Sequence, residues 1–250
     1  MYIRYITVSD PRENISVDDS IKILTAAPNV EFGIQGDGVF MKSGSPRNIW
    51  LREILARSNF MTKPLNIALH INYDWCQDAC NFNIPNELAN LASMTHAQTG
   101  EPLIQRLQFN IGDGTQPHFD AYKLKRMVKF FTGHEIIFPY NALTAPTLDS
   151  LDKTYTEFSI LNDASYGTGK TPKTWPAPAY RTRHATGYAG GLDAKNVTQC
   201  LNEVNKFSIN LRGETWVDAE NKLMKPYQKT RQLDINKALE YIATVSQWQK

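Results

Sequence analysis

No run of about 18 apolar residues occurs in the chain, which removes a membrane-spanning helix from consideration. The opening MYIRYITVSD lacks the charged-then-apolar layout of a secretory leader, so a cytoplasmic location is expected. Cysteine is scarce: Cys76, Cys80 and Cys200 cannot all pair within one chain, and three thiols are expected in place of a disulfide framework. Charge of either sign is not in excess, with 27 basic and 25 acidic side chains interspersed and a net charge of +2. Nothing in that balance calls for nucleic acid or a membrane surface as partner. No Gly-x-Ser-x-Gly elbow is present, and no low-complexity linker divides the chain.

What is there is a regular alternation. Apolar, β-favouring runs of strand length cover residues 2–8, 30–35, 66–72, 106–111, 135–140, 158–163, 184–190 and 207–212. Most are followed by a stretch with helical spacing, the βαβα pattern of a parallel sheet. In SPRNIWLREILARSNF, Ser45 is an N-cap candidate and Pro46 takes the first helical position. FDAYKLKRMVKFFTG stops at Gly133, and DINKALEYIATV supplies a last helix. Eight strands fit a closed barrel better than an open sheet, because closure leaves no exposed edge. The expected fold is α/β, a single (β/α)8 barrel domain over residues 1–250, with residues 171–179 and 216–231 as loops.

Side chains alternate across a strand, so the apolar parity should face the helices and the other parity the barrel axis. This assigns His70 and Asn72, Gln108 and Asn110, Ser208, Asn210 and Arg212, and Asp163 to the interior. A single polar residue at a strand end commonly starts a turn or satisfies the core. Several such residues at the carboxyl ends of different strands point to a ligand, since barrel enzymes carry their sites on that face.

Two glycine turns follow consecutive strands, SYGTGK with Gly167 and Gly169, and YAGGLDAKNV with Gly190 and Gly191. Glycine lets backbone N–H groups converge on an anion. Gly169-Lys170 lacks the upstream glycine spacing of a P-loop, and each turn taken alone reads as a turn. The second lies where barrels commonly place a phosphate. Cys76 and Cys80, four apart, could share a helix face with His70, Asp74 or Asp78 nearby, but the spacing is not that of common zinc motifs and no metal is expected. His118, His134 and His184 fall near strand starts, and Arg181 and Arg183 read as solvated cations.

Three stretches, SPRNI (45–49), LNDASYGTGKTPKTW (161–175) and AGGLDAKNV (189–197), together resemble the phosphoribosylanthranilate isomerase family of tryptophan biosynthesis. The resemblance implies an aldose–ketose isomerisation of Amadori type on a phosphoribosyl amine, needing no cofactor. It implies that Asp163 is the general acid that opens the ribose ring, that Arg47 holds a substrate carboxylate, and that Gly190 and Gly191 bind the phosphate beside the loop of Gly167 and Gly169. His70, Asn72, Asn110 and Asn210 are the further substrate-binding candidates from strand parity.

The family's first strand ends in Lys-Ile-Cys-Gly with the cysteine as base, whereas this chain places Thr7 there, and a threonine hydroxyl is no base near neutral pH. The family's Asp-x-Ser-Ser-Gly in the last strand is expected at NLRG, where Asn210 replaces the carboxylate. Asp10, His70 and Cys76 are candidates for the missing base, Asp10 first because it leaves the same strand end as Thr7. The expected partner is a small phosphorylated sugar-like molecule. A barrel acting on another phosphosugar or nucleotide, and a non-catalytic barrel binding a phosphate ligand or a protein, remain alternatives.

Overall fold

The computed structural model describes residues 1–111, 120–154, 156–163, 169–180, 184–211, 213–228 and 230–249. Eight parallel strands close into a barrel in chain order. They are β1 (Tyr2–Ser9), β2 (Val30–Gly36), β3 (Asn66–Ile71), β4 (Arg106–Phe109), β5 (Glu135–Pro139), β6 (Ser159–Asp163), β7 (Thr186–Ala189) and β8 (Glu214–Ala219). The helices are α1 (Val17–Leu24), α2 (Pro46–Asn59), α3 (Tyr73–Cys80), α4 (Asn86–Ala92), α5 (Ala121–Phe130), α6 (Ala145–Asp152), α7 (Val197–Asn205) and α8 (Ile235–Trp248). An antiparallel hairpin, β9 (Met224–Tyr227) with β10 (Thr230–Leu233), stands between β8 and α8. The architecture is a (β/α)8 barrel. No helix among the described residues is long and apolar enough to cross a membrane.

Seven of the eight expected runs coincide with strands, and the eighth does not. Residues 208–211 form a 3-10 turn, and the last barrel strand is Glu214–Ala219. The physical reason lies in the side chains: Ile209 is 87% exposed, so the apolar residues of SINL do not share a buried face. Gly213 at φ +76° makes the reversal that starts the strand. Asn210 therefore precedes β8, at the opposite end of that strand from the barrel's carboxyl face, and Arg212 lies outside the described residues. Gly167, His118, Arg181 and Arg183 also lie outside them.

The chain divides into two compact units, residues 1–33 with 160–250, and residues 34–159. In the first, β6, β7, β8, β1 and the start of β2 form one continuous ladder. Helix α8 packs on α1 and α7. Its Asp234 cap accepts from the amides of Asn236 and Lys237, which satisfies donors that a helix start leaves open. Ile6, Val8, Phe32, Val217, Leu201 and Ile242 fill this unit's core, each buried side chain contributing about 1.5–3 kcal/mol.

In the second unit β3, β4 and β5 pair in parallel. Ser45 caps α2 by accepting from the amide of Asn48, with Pro46 in the first turn. The Phe109 ring lies 6.0 Å from those of Phe131, at the end of α5, and Phe138. Leu107 and Phe109 thus form the helix-facing parity of β4, which leaves Gln108 and its β3 register partner His70 on the axis side.

Candidate functional site

The register of the first unit places five residues at one level across five strands. Asp163 pairs with Ala189, Ala189 with Asp218, Asp218 with Thr7, and Thr7 with Glu31. Register partners in a parallel ladder share a face. Which face follows from Tyr188, whose ring meets Trp175 at 6.4 Å and whose hydroxyl feels Cys200 of α7. Tyr188 is helix-facing, so Ala189 and the carboxyls in register with it project toward the axis.

One layer below, Leu161, Gly187, Trp216 and Tyr5 are in register. A Cβ on Gly187 would stand 1.9 Å from Cε2 of Trp216, so the indole lies directly over the bare backbone of β7. This buried indole is the floor beneath Asp218 and withholds water from it.

That environment decides the protonation of Asp218. The residue is 6% exposed, and burial, the largest cause, pushes its carboxyl up to about 8. The Ser9 hydroxyl donates to Oδ1 at 2.5 Å and opposes the rise, while Glu220, Glu31 and Asp163 reinforce it. Asp218 therefore holds a proton at neutral pH. Beside it, Thr7 donates to Oε1 of Glu31 at 2.8 Å. The threonine that stands where a base was sought is a hydrogen-bond donor to a carboxylate.

Asp10 is fully buried in the left-handed region at φ 55°. Its Oδ2 accepts from Arg12 Nε at 2.9 Å and lies 3.5 Å from Nη2 of Arg231. Both guanidinium groups converge on the carboxylate oxygen that a substrate proton would use. The same contact holds the Arg12 guanidinium more firmly protonated than usual.

The loops after β6, β7 and β8 interlock. Gly169 (φ +69°) and Gly191 (φ +57°) use a backbone region that side chains disfavour. A Cβ on Gly191 would meet the Gly169 carbonyl oxygen at 2.3 Å, and one on Gly169 would meet Asn221 Cβ at 2.7 Å. Thr171 Oγ1 and Asn196 Nδ2 donate to the Gly191 carbonyl at 3.0 and 2.8 Å. Lys222 Nζ donates to Thr171 Oγ1 at 2.8 Å and lies 3.8 Å from Asp193. A cation and two glycines at positive φ thus meet where α7 begins.

The remaining candidates stand in the second unit. Gln108 donates to Asn110, Asn110 to Asn72, and Asn72 to the His70 carbonyl, each at 2.9 Å. His70 is buried, and burial with the nearby Arg106 lowers its imidazole to about 3, so it is neutral through the physiological range. Arg47, buried in the first turn of α2, lies over the Phe40 ring at 4.4 Å. Cys76, Cys80 and Cys200 are buried free thiols, and burial raises those of Cys80 and Cys200. Among the described residues no group of three or more His, Cys, Asp or Glu side chains is arranged to hold a metal ion.

No protein-family model matches the chain, and no curated protein matches it. Solved structures do. The chain is similar to phosphoribosyl anthranilate isomerase from Thermus thermophilus, with 13% identity, 99% of each chain covered and a TM-score of 0.52. N-(5'-phosphoribosyl)anthranilate isomerase from Pyrococcus furiosus gives 14%, 99% of each chain and 0.51. KGPDC from Streptococcus mutans gives 10%, 98% of each chain and 0.51. At these identities the likeness carries the barrel fold.

With β8 placed at Glu214–Ala219, the last strand ends in Asp218-Ala219-Glu220-Asn221. The strand-end carboxylate sought at Asn210 is thus present, eight residues later. Asp218, Glu31, Ser9 and Lys222 are the residues that reading the sequence missed. The alternation in ETWVDA, with Thr215, Val217 and Ala219 on one face and Trp216 and Asp218 on the other, is the signal that could have found the first.

Proposed function

We propose that the protein binds a phosphorylated ribosyl amine and isomerises it from aldose to ketose, with Asp218 and Asp163 as an acid–base pair. The observation that carries this reading is the shared level of the two carboxyls, two strand spacings apart, roughly 10 Å between Cα atoms, over the Trp216 floor. Paired titratable groups whose environments differ are the usual way of running acid and base chemistry at one pH. Likeness in fold to two isomerases of phosphoribosyl anthranilate supports the substrate class.

In this reading the proton held by Asp218 passes to the ribose ring oxygen. The C1–O bond breaks as the nitrogen lone pair forms C1=N. Asp163 then removes the C2 proton, and the C–H electrons form C1=C2 while the iminium nitrogen becomes neutral. Asp163 returns its proton to C1 while the enol O–H proton passes to the Asp218 carboxylate, which gives the 2-ketose and restores both carboxyls, so atoms and electrons balance without a cofactor. Asp163 acts here as the base, and Asp218 takes the acid role that the family resemblance implies for Asp163. The interlocked loops of Gly169, Gly191, Thr171 and Lys222 are the proposed phosphate cradle, through N–H groups and the Lys222 ammonium.

The test is direct. Purified protein incubated with phosphoribosylanthranilate should yield the isomeric ketose on chromatography, and Asp218→Asn and Asp163→Asn should each slow it by about 10²–10⁴-fold, the range for loss of an acid or base. Wild-type turnover no faster than both variants overturns the reaction. Stabilisation by ribose 5-phosphate in a thermal shift, lost in Lys222→Ala, would then leave a phosphate-binding barrel without this chemistry.

A further inference from the structure

The segment between β8 and α8 carries an exposed hairpin, and one of its side chains reaches the site from outside the barrel. Arg231 on β10 donates to Oδ1 of Asn221, donates to Oε1 of Glu220 at 3.2 Å, and lies 3.5 Å from Oδ2 of Asp10. Its guanidinium thereby joins the end of β1 to the end of β8. Asn221 extends the link, because its Cβ stands against Gly169 of the loop after β6. The backbone around Arg231 is also fastened: Asn14 Nδ2 donates to its carbonyl at 2.9 Å, and Gln232 Nε2 donates to the Asn14 carbonyl. Buried Met224 and Leu233 already fasten the base of the hairpin, so the Arg231 guanidinium is not needed to hold it, and its three acceptors all sit next to catalytic candidates.

We infer that the β9–β10 hairpin belongs to the acid site, with Arg231 as the positioning residue that fixes Glu220 and Asn221 and sets the charge felt by Asp218. Glu220 follows Asp218 by two residues and is one of the charges acting on it. The other groups facing Asp218 are Ser9 of β1, Glu31 of β2, Asp163 of β6 and Tyr241 of α8. Among these contributors none is a cation, while Glu220 is itself held by Arg231 and influenced by Arg12 and Asp10. Removing the arginine's charge leaves the carboxyls beside it less compensated, so Glu220 and Asp218 both hold a proton more tightly, and the rise at Asp218 is read at pH values where Glu220 is ionised. An acid that releases its proton less readily donates more slowly. The role in turnover rests on the proposed isomerase reading; the charge coupling does not.

The experiment uses the full chain with ¹³C-labelled aspartate carboxyls, the Asp218 resonance being assigned by its loss in Asp218→Asn. It is titrated in wild type, Arg231→Lys, Arg231→Gln and Arg231→Ala, with circular dichroism confirming the fold. Arg231→Gln removes the charge and, ending two atoms short of the Nη groups, the contacts to Asn221 and Glu220 as well, whereas Arg231→Lys keeps the charge. The expected result is a rise in Asp218 proton affinity of about tenfold, one pH unit, in the Gln and Ala variants, with Lys near wild type. In the isomerase assay the same variants should lose about three- to fivefold in kcat, the partial share of a tenfold affinity change that Brønsted behaviour passes to the rate, with KM nearly unchanged. An identical Asp218 midpoint in wild type and folded Arg231→Gln overturns the inference. A shifted midpoint in a protein without isomerase activity sustains the coupling and rejects the reaction.

Discussion

Replacing Asp218 by Asn removes one ionisable group from the most buried part of the site while keeping its shape and an acceptor for Ser9. The native carboxyl is raised from 3.8 to about 8, so below pH 4 both folded and unfolded chains carry the proton and the group adds no pH dependence. Between about pH 4 and 8 the folded chain keeps the proton and the unfolded chain loses it. The folded state then binds more protons, and stability falls as pH rises. Above about 8 both forms are ionised and the penalty is complete. At about 1.4 kcal/mol per unit, a rise of some four units sets a ceiling of about 6 kcal/mol, with water entry and local relaxation reducing it. Asp218→Asn lacks the term, so it should exceed wild type in stability by about 1.5 kcal/mol at pH 5 and by several kcal/mol at pH 9. Urea unfolding at pH 5, 7 and 9, followed by tryptophan fluorescence, measures the difference. Groups that do not interact with Asp218 titrate alike in both proteins and cancel. A constant offset between the two proteins across that range would refute the buried-acid argument.

Gly187→Ala forces a methyl into the Trp216 ring and should cost about 1–3 kcal/mol, as overpacking does; a double variant with Trp216→Leu should recover most of that loss in the melting temperature, and strict additivity would refute the contact. Gly191→Ala places a side chain at φ +57° and against the Gly169 carbonyl. It should cost more than about 1 kcal/mol and abolish the ribose 5-phosphate thermal shift; full retention of that shift would remove the loop from the phosphate cradle.

Most of the barrel was legible because seven strands are apolar runs bounded by breakers, and their polar residues fall at the ends. The eighth was not, and the reason is local. FSINLR alternates like a strand but follows α7 directly and closes as a 3-10 turn, whereas ETWVDA looks too polar because Glu214 and Asp218 flank its apolar residues. Its acidic residue is tolerated only because Ser9 donates to it and because it keeps its proton, neither of which a single sequence displays. The pairing of Thr7 with Glu31 was hidden for a related reason. The two are 24 residues apart and meet only through the β1–β2 register, so Thr7 read as a lost base when its hydroxyl in fact satisfies a neighbouring carboxylate.

In the proposed reading carboxyls do the work that a cysteine does in the family the sequence resembles, and this has a physical consequence for how such a site must be built. A cysteine base works as a thiolate stabilised by positive surroundings. Here the interior level holds Asp163, Asp218 and Glu31, with Thr7 and Ser9 as donors, a constellation in which a thiolate would be repelled. Like charges so placed cannot all ionise together, so the level retains at least one proton, which burial assigns to Asp218. Placing a cysteine at position 7 should therefore not create a reactive base. Thr7→Cys is expected to react with iodoacetamide more slowly than a free thiol at pH 7.5, and to react faster only when Asp218 is also changed to Asn; rapid alkylation in the single variant would contradict the charge balance derived for this layer.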